Sequence, residues 1–207
     1  YLLSKFAEVG IPVLGIEPAE NVASIARDKG VLTISKFFGE TLALEVLEKK
    51  GSPDLIVANN VFAHVPDMLD FARGLSTLAN EETIITIENP SFSTLMDKAF
   101  FDTIYHEHYS YLSAHSIDKI AKSVGLNLFH VDKLDTHGGS NRYWLSKTKK
   151  SNQSVTELLQ EEVKAGILNP NKWDDFKKRS TQAIEGLRSW LIEKDSIGAK
   201  IVGYGAA

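Results

Sequence analysis

Short apolar runs alternate with amphipathic stretches over the first two thirds of the chain, and that alternation leaves few folds open to it. PVLGIE (residues 12–17), VLTIS (31–35), PDLIVANN (53–60) and ETIITIENP (82–90) read as strands. Between them helical patterns run from Pro18 to Gly30, with Val22, Ile25 and Ala26 on one face, over ETLALEVLEKKG (40–51), and over VPDMLDFARGLSTLA (65–79). Strand and helix in strict alternation predict a doubly wound, mostly parallel α/β sheet. The run Leu55, Ile56, Val57, Ala58 suits a strand buried on both sheet faces. Further on, SAHSIDKIAKSVG (113–125) is a helix closed by Gly125, LNLFHVDKLD (126–135) a strand, and THGGSNRYWLSK (136–147) a turn and a strand. Two strands so close in sequence pair antiparallel, so a reversed hairpin is expected at the sheet edge.

From Lys149 the pattern changes. KKSNQS is polar, two long helical stretches then run to about Lys194, and AKIVGYG reads as a strand entering a glycine-rich turn. The expected boundary lies near residue 150, dividing residues 1–148 from 149–207. The chain opens inside a helical pattern, YLLSKFAEVG, and closes on that glycine turn, so it reads as an internal piece of a longer protein.

Composition excludes several functions. Net charge is −4 with no basic stripe, which argues against a nucleic-acid partner. No apolar run approaches the roughly 20 residues that span a bilayer. Cysteine is absent, which removes disulfides, thiolate metal sites and cysteine nucleophiles, and a reducing cytoplasm is the expected compartment.

Ligands in open α/β sheets bind at the carboxyl ends of the strands. Glu17 ends the first apolar run, where a carboxylate can accept from both hydroxyls of a ribose, or can simply favour the N-terminus of the helix beginning at Pro18. At that position a nicotinamide cofactor fits as well as any other adenosine ligand. Asn59 and Asn60 end a buried strand and carry many hydrogen-bonding sites for a core, which suits a polar ligand. His64 follows, as a site residue or as a histidine satisfied within its loop. The densest chemistry is in TIYHEHYSYLS (103–113), where His106, Glu107, His108 and three tyrosines fall within Tyr105–Tyr111. Two histidines flanking one residue lack the three- or four-residue spacing of zinc ligands on a helix, so acid–base work is the better reading. Histidine exchanges a proton near neutral pH, and a phenol can donate to a developing oxyanion.

GIEPAENVASIARDKG, ANNVFAHVPD, TIYHEHYSYLS, HGGSNRYW and GYGAA, in this order, resemble the S-adenosylmethionine-dependent sugar C-methyltransferases, which methylate a carbon of nucleotide-linked 4-keto deoxysugars. The resemblance spans essentially the whole chain. It implies a Rossmann-like class I methyltransferase sheet, lacking its first strand and ending in an antiparallel hairpin. It implies S-adenosylmethionine as cofactor and a nucleotide-sugar as substrate. By motif position His108 resembles the general base, Tyr105 and Glu107 its partners around the sugar, and His64 a second active-site histidine. Glu17 matches the ribose-binding acid, and Asn60, Phe37 and Phe38 fall where the family lines its cofactor pocket. GYGAA resembles the start of a C-terminal half-domain that holds the nucleotide-sugar. The family's cysteine-built zinc module and its first strand with glycine loop are not in this chain. The alternatives are an NAD-dependent oxidoreductase, which needs a GxGxxG loop, and a non-catalytic binding module of the same fold.

Overall fold

The computed structural model describes residues 1–203. The expected alternation is present: α1 (Leu2–Glu8), β1 (Gly15–Ile16), α2 (Glu20–Asp28), β2 (Thr33–Ile34), α3 (Glu40–Lys50), β3 (Leu55–Asn59), α4 (Met68–Leu78) and β4 (Ile84–Pro90). Then come α5 (Phe92–Lys98), α6 (Ala114–Ser123), β5 (Asn127–Leu134), β6 (Ser140–Ser146), α7 (Gln153–Lys164) and α8 (Pro170–Ser196). β1 pairs with β2 in one parallel sheet, and a second sheet has the order β3-β4-β6-β5. β3 and β4 run parallel, while β6 is antiparallel to both neighbours and lies between β4 and β5. The reversed hairpin is therefore real, and its return strand is inserted against β4.

Local chemistry sets these boundaries. Asp67 caps α4 by accepting from the Asp70 N–H at 2.9 Å, and Ser113 opens α6 with a reciprocal capping box to Ser116. The hairpin turns through Gly138 (φ 78°) and Gly139 (φ 134°), a backbone that side chains rarely adopt. A Cβ on Gly138 would also meet the Phe100 ring at 2.8 Å, so this turn closes tightly on the segment after α5.

One core unites the larger sheet with its helices. Ile85 and Ile87 of β4, Leu128 of β5 and Leu145 of β6 pack against Phe71 and Leu75 of α4, Ile117 of α6, and Val155 and Leu158 of α7. The polar stretch after Lys149 thus leads into a helix that packs in the same core. A smaller cluster on α3, with Leu42, Ala43 and Val46, gathers Ile16 of β1, Ile34 of β2 and Ile56 of β3, and so spans both sheets.

Three expectations need correction. β3 is not buried on both faces: Leu55 is 43% exposed and only Ala58 is fully buried. The reason is that β3 pairs only with β4 among the described residues, so its other edge is open. On α2 the buried residue is Ala23, while Val22 and Ile25 are exposed, because a two-stranded sheet offers the helix little surface to cover. Residues 199–203 carry no strand, and the rest of the expected GYGAA turn lies outside the described residues.

Ile87 is 1% exposed at the centre of the larger core. Ile87→Ala should lower the unfolding free energy by about 2–5 kcal/mol, measured by urea denaturation. A loss below about 1 kcal/mol, roughly what one buried methylene group contributes, would show that β4 does not anchor this core.

Candidate active site

The site is assembled where β3 and β4 end. β3 stops at Asn59 and the chain turns through Asn60, whose φ of 53° is in the left-handed region that asparagine tolerates better than most residues. The Asn60 N–H donates to the Glu88 carbonyl of β4 at 2.7 Å, which holds this turn against the neighbouring strand. A 3₁₀ turn over Phe62–His64 follows; burying Phe62 and Ala63 in it leaves the half-buried His64 at the rim.

β4 ends at Pro90, and α5 carries the chain to a second loop containing Tyr105–Tyr111. This loop is tied directly to the first. The Ala63 carbonyl accepts from the Tyr109 and Ser110 N–H groups at 2.9 and 3.2 Å, and His64 Nδ1 donates to the Glu107 carbonyl at 2.9 Å. The His64 and His108 rings lie 4.7 Å apart between centroids. Two histidines distant in sequence thus lie ring against ring.

Hydrogen bonding orients both imidazoles. His108 Nδ1 is 2.9 Å from the Thr103 carbonyl oxygen. A carbonyl can only accept, so Nδ1 carries the proton and the lone pair of neutral His108 sits on Nε2. The Tyr105 hydroxyl lies 3.3 Å from that Nε2, and its ring stacks tilted over His108 at 4.3 Å. The same logic puts the lone pair of neutral His64 on its Nε2. Tyr111 meets His108 edge-on at 5.8 Å and donates to the Thr103 carbonyl at 3.4 Å. Burial raises the Tyr111 phenol above its ordinary pKa, so it stays protonated at neutral pH. This arrangement can take a proton at a histidine Nε2, with the Tyr105 phenol beside that nitrogen.

Glu107 enters differently from the other candidates. Its main-chain carbonyl orients His64, while its carboxylate is exposed and makes no hydrogen bond or ion pair among the described residues.

The cofactor candidates follow β1 and β2. Glu17 sits just past β1 and uses Oε1 to accept from the Ala19 N–H at 2.9 Å, at the start of α2. Its other oxygen has no partner among the described residues, so a hydroxyl-bearing ligand could still be received there. The phenylalanine pair divides: Phe38 packs edge-on against Phe71 at 5.0 Å, whereas Phe37 is 81% exposed. Phe38 is half-buried at the margin of the core, and Phe37 is the more exposed of the two.

Sequence reasoning missed the Thr103 and Ala63 carbonyls, which orient the loops through the main chain and leave no side-chain signal. It also passed over the Glu88–Arg142 pair, at 2.7 Å, that joins β4 to β6 beneath the Asn60 turn. Glu88 stands at an inward strand position one residue before Asn-Pro, and an acid there was the available clue.

Residues 1–131 match the family described as "Methyltransferase domain", and residues 135–207 match "C-methyltransferase C-terminal domain". The chain is 31% identical over 207 residues to the C-methyltransferase NovU of Streptomyces niveus, covering 99% of this chain and 49% of that protein. It therefore spans about half the length of that curated relative. Among solved structures it resembles the magnesium protoporphyrin IX methyltransferase of Synechocystis PCC 6803 with bound S-adenosylhomocysteine, at TM-score 0.52 and 16% identity over 70% of this chain and 68% of that one. It also resembles a possible histamine N-methyltransferase of Thermotoga maritima, at TM-score 0.53 and 14% identity over 69% and 76% of the two chains. These structural likenesses establish a methyltransferase fold. The nicotinamide oxidoreductase reading falls with the family match.

The tautomer is directly measurable. Nitrogen-15 NMR of histidine-labelled protein above pH 8, where imidazoles are neutral, should show His108 protonated at Nδ1. Predominant Nε2 protonation would contradict the Thr103 contact.

Proposed function

This chain belongs to the methyltransferase-domain family, and from that premise we propose that the protein methylates a carbon of a nucleotide-linked 4-keto deoxysugar, with S-adenosylmethionine as methyl donor. The observation that carries the proposal is the His108 imidazole, held by Thr103 with its Nε2 lone pair presented beside Tyr105 and His64. A base next to phenol donors is what removal of a proton beside a ketone requires. The relative named a C-methyltransferase, and the match to a C-methyltransferase C-terminal domain, support carbon as the acceptor.

His108 Nε2 takes the proton from the carbon adjacent to the sugar ketone. The C–H electrons become the enolate; once His108 Nε2 is protonated it no longer accepts from Tyr105, whose hydroxyl is then free to donate to the enolate oxygen. Stabilising that charge as it develops contributes more than binding the ketone itself. His64, across the pocket, faces the same substrate through its own Nε2. Glu107 holds His64 through the main chain and leaves its carboxylate toward the sugar. S-Adenosylmethionine, when bound, supplies an electrophilic methyl group on a sulfonium. Glu17 would receive its ribose through the oxygen not used by Ala19, Phe37 would cover the adenine, and Asn60 would line the pocket at the end of β3. Residues 149–207 would lead into the part that holds the nucleotide-sugar.

In the intact protein, Glu17→Ala should weaken S-adenosylhomocysteine by roughly ten- to a hundredfold in calorimetry, the loss of one charge-assisted hydrogen bond. Unchanged affinity would leave Glu17 as a helix-end acid. His108→Asn should bind S-adenosylhomocysteine normally yet transfer methyl groups to a nucleotide-linked 4-keto deoxysugar roughly 10²- to 10⁴-fold more slowly. Wild-type protein that binds both ligands without methylating the sugar would point to a binding module.

A further inference from the structure

Residues 99–113, which carry His108, run from the end of α5 to the start of α6, and both helix ends are capped by charged side chains from the C-terminal helices. At the α5 end, Arg179 of α8 donates from Nη1 to the Asp97 carbonyl and from Nη2 to the Met96 carbonyl, each at 2.6 Å. Carbonyls in a helix's last turn have no partner within it, and they form its negative end. Asp175 accepts from Arg179 Nε at 2.9 Å, and Phe176 of α8 packs with Leu95 and Met96, so the guanidinium is itself well held.

At the α6 end the capping group is Glu162 of α7, whose side chain is only 1% exposed. Its Oε1 accepts from the Ala114 N–H at 2.7 Å, and its Oε2 accepts from the His115 N–H at 3.1 Å and from His115 Nδ1 at 2.7 Å. A carboxylate this deeply buried is costly unless its lone pairs are filled, and here three donors fill them. Ser113, the N-cap, already serves Ser116, so Glu162 reaches donors of the first turn that the local sequence leaves free. The negative group meets the positive helix end and the positive group the negative end, the signs each macrodipole favours.

Neither residue touches His64 or His108. Their effect on the loop is indirect: α7 and α8, joined by a short turn through Gly166, set the positions from which the loop departs and to which it returns. We propose that α7 and α8 brace the acid–base loop, with Glu162 and Arg179 as positioning residues for His108. The proposal rests on the reading of His108 as the base. It makes the C-terminal helices part of the catalytic apparatus as well as a route to the substrate-holding part.

In the intact protein, Glu162→Gln and Arg179→Gln should each lower kcat for methyl transfer by roughly ten- to a hundredfold, the scale on which small misplacement of reacting groups is felt. Amide hydrogen exchange should rise over residues 103–113 and stay unchanged in β3 and β4, and affinity for S-adenosylhomocysteine should be unchanged. Arg179→Lys, which keeps the charge but not the paired donors, should recover part of the lost kcat. Native kcat and native loop exchange in both glutamine variants would overturn the proposal. So would a fall in S-adenosylhomocysteine affinity that tracks the fall in kcat, which is general loosening. If Glu162→Gln does not fold, the Arg179 series decides alone, because Arg179 is partly exposed. His108→Asn serves as the separate control: native kcat in that variant sinks the base assignment, while loop hydrogen exchange in the other variants still decides the brace.

Discussion

The hydrogen bond from His108 Nδ1 to the Thr103 carbonyl decides which nitrogen of that imidazole keeps a lone pair. A free imidazole exchanges tautomers and rotates, so neither nitrogen is reliably a base. Binding Nδ1–H to a main-chain acceptor leaves one nitrogen with a lone pair and gives that lone pair a direction. Tyr105, His64 and Tyr111 are arranged around it, as a donor at Nε2, a second imidazole beside the ring and an edge-on neighbour. Thr103 in turn depends on the short 3₁₀ turn over Phe101–Thr103, and that turn lies beside Phe100, against which the glycine hairpin between β5 and β6 closes.

The site is thus a product of long-range packing. One loop follows β3, the other bridges α5 and α6, and the two meet because the Ala63 carbonyl accepts from the second loop's main chain. Behind them β4 carries Ile85 and Ile87 into the core and Glu88 to its ion pair with Arg142, so the strand between the loops is fixed on both faces. The helices beyond residue 150 then close on the ends of α5 and α6. Precision comes from hydrogen bonds within and between the two loops together with rigid elements at their margins.

The strand–helix rhythm was legible because burial imposes a period on apolar residues, and the hairpin because two strands joined by a short turn must pair antiparallel. Burial of individual faces was less so. Val22 and Ile25 have the spacing of a core face, but spacing says nothing of whether a partner surface is present, and here they are exposed. Leu55–Ala58 looked like a central strand, yet among the described residues β3 pairs on one edge only. Phe37 and Phe38 were indistinguishable in sequence, and only the position of Phe71 separates the core ring from the exposed one. The YHEH motif marked the candidate acid–base loop through side-chain chemistry alone. Which nitrogen of His108 is free was invisible, since the deciding group is a carbonyl that every residue possesses.

The central claim is that His108 Nε2 removes the sugar proton. The most direct test incubates intact protein with nucleotide-linked 4-keto deoxysugar and S-adenosylhomocysteine in heavy water, following deuterium entry beside the ketone by NMR. Wild-type protein should exchange that position, and His108→Asn should do so roughly 10²- to 10⁴-fold more slowly. Exchange by His108→Asn at the wild-type rate would contradict the assignment and direct attention to His64.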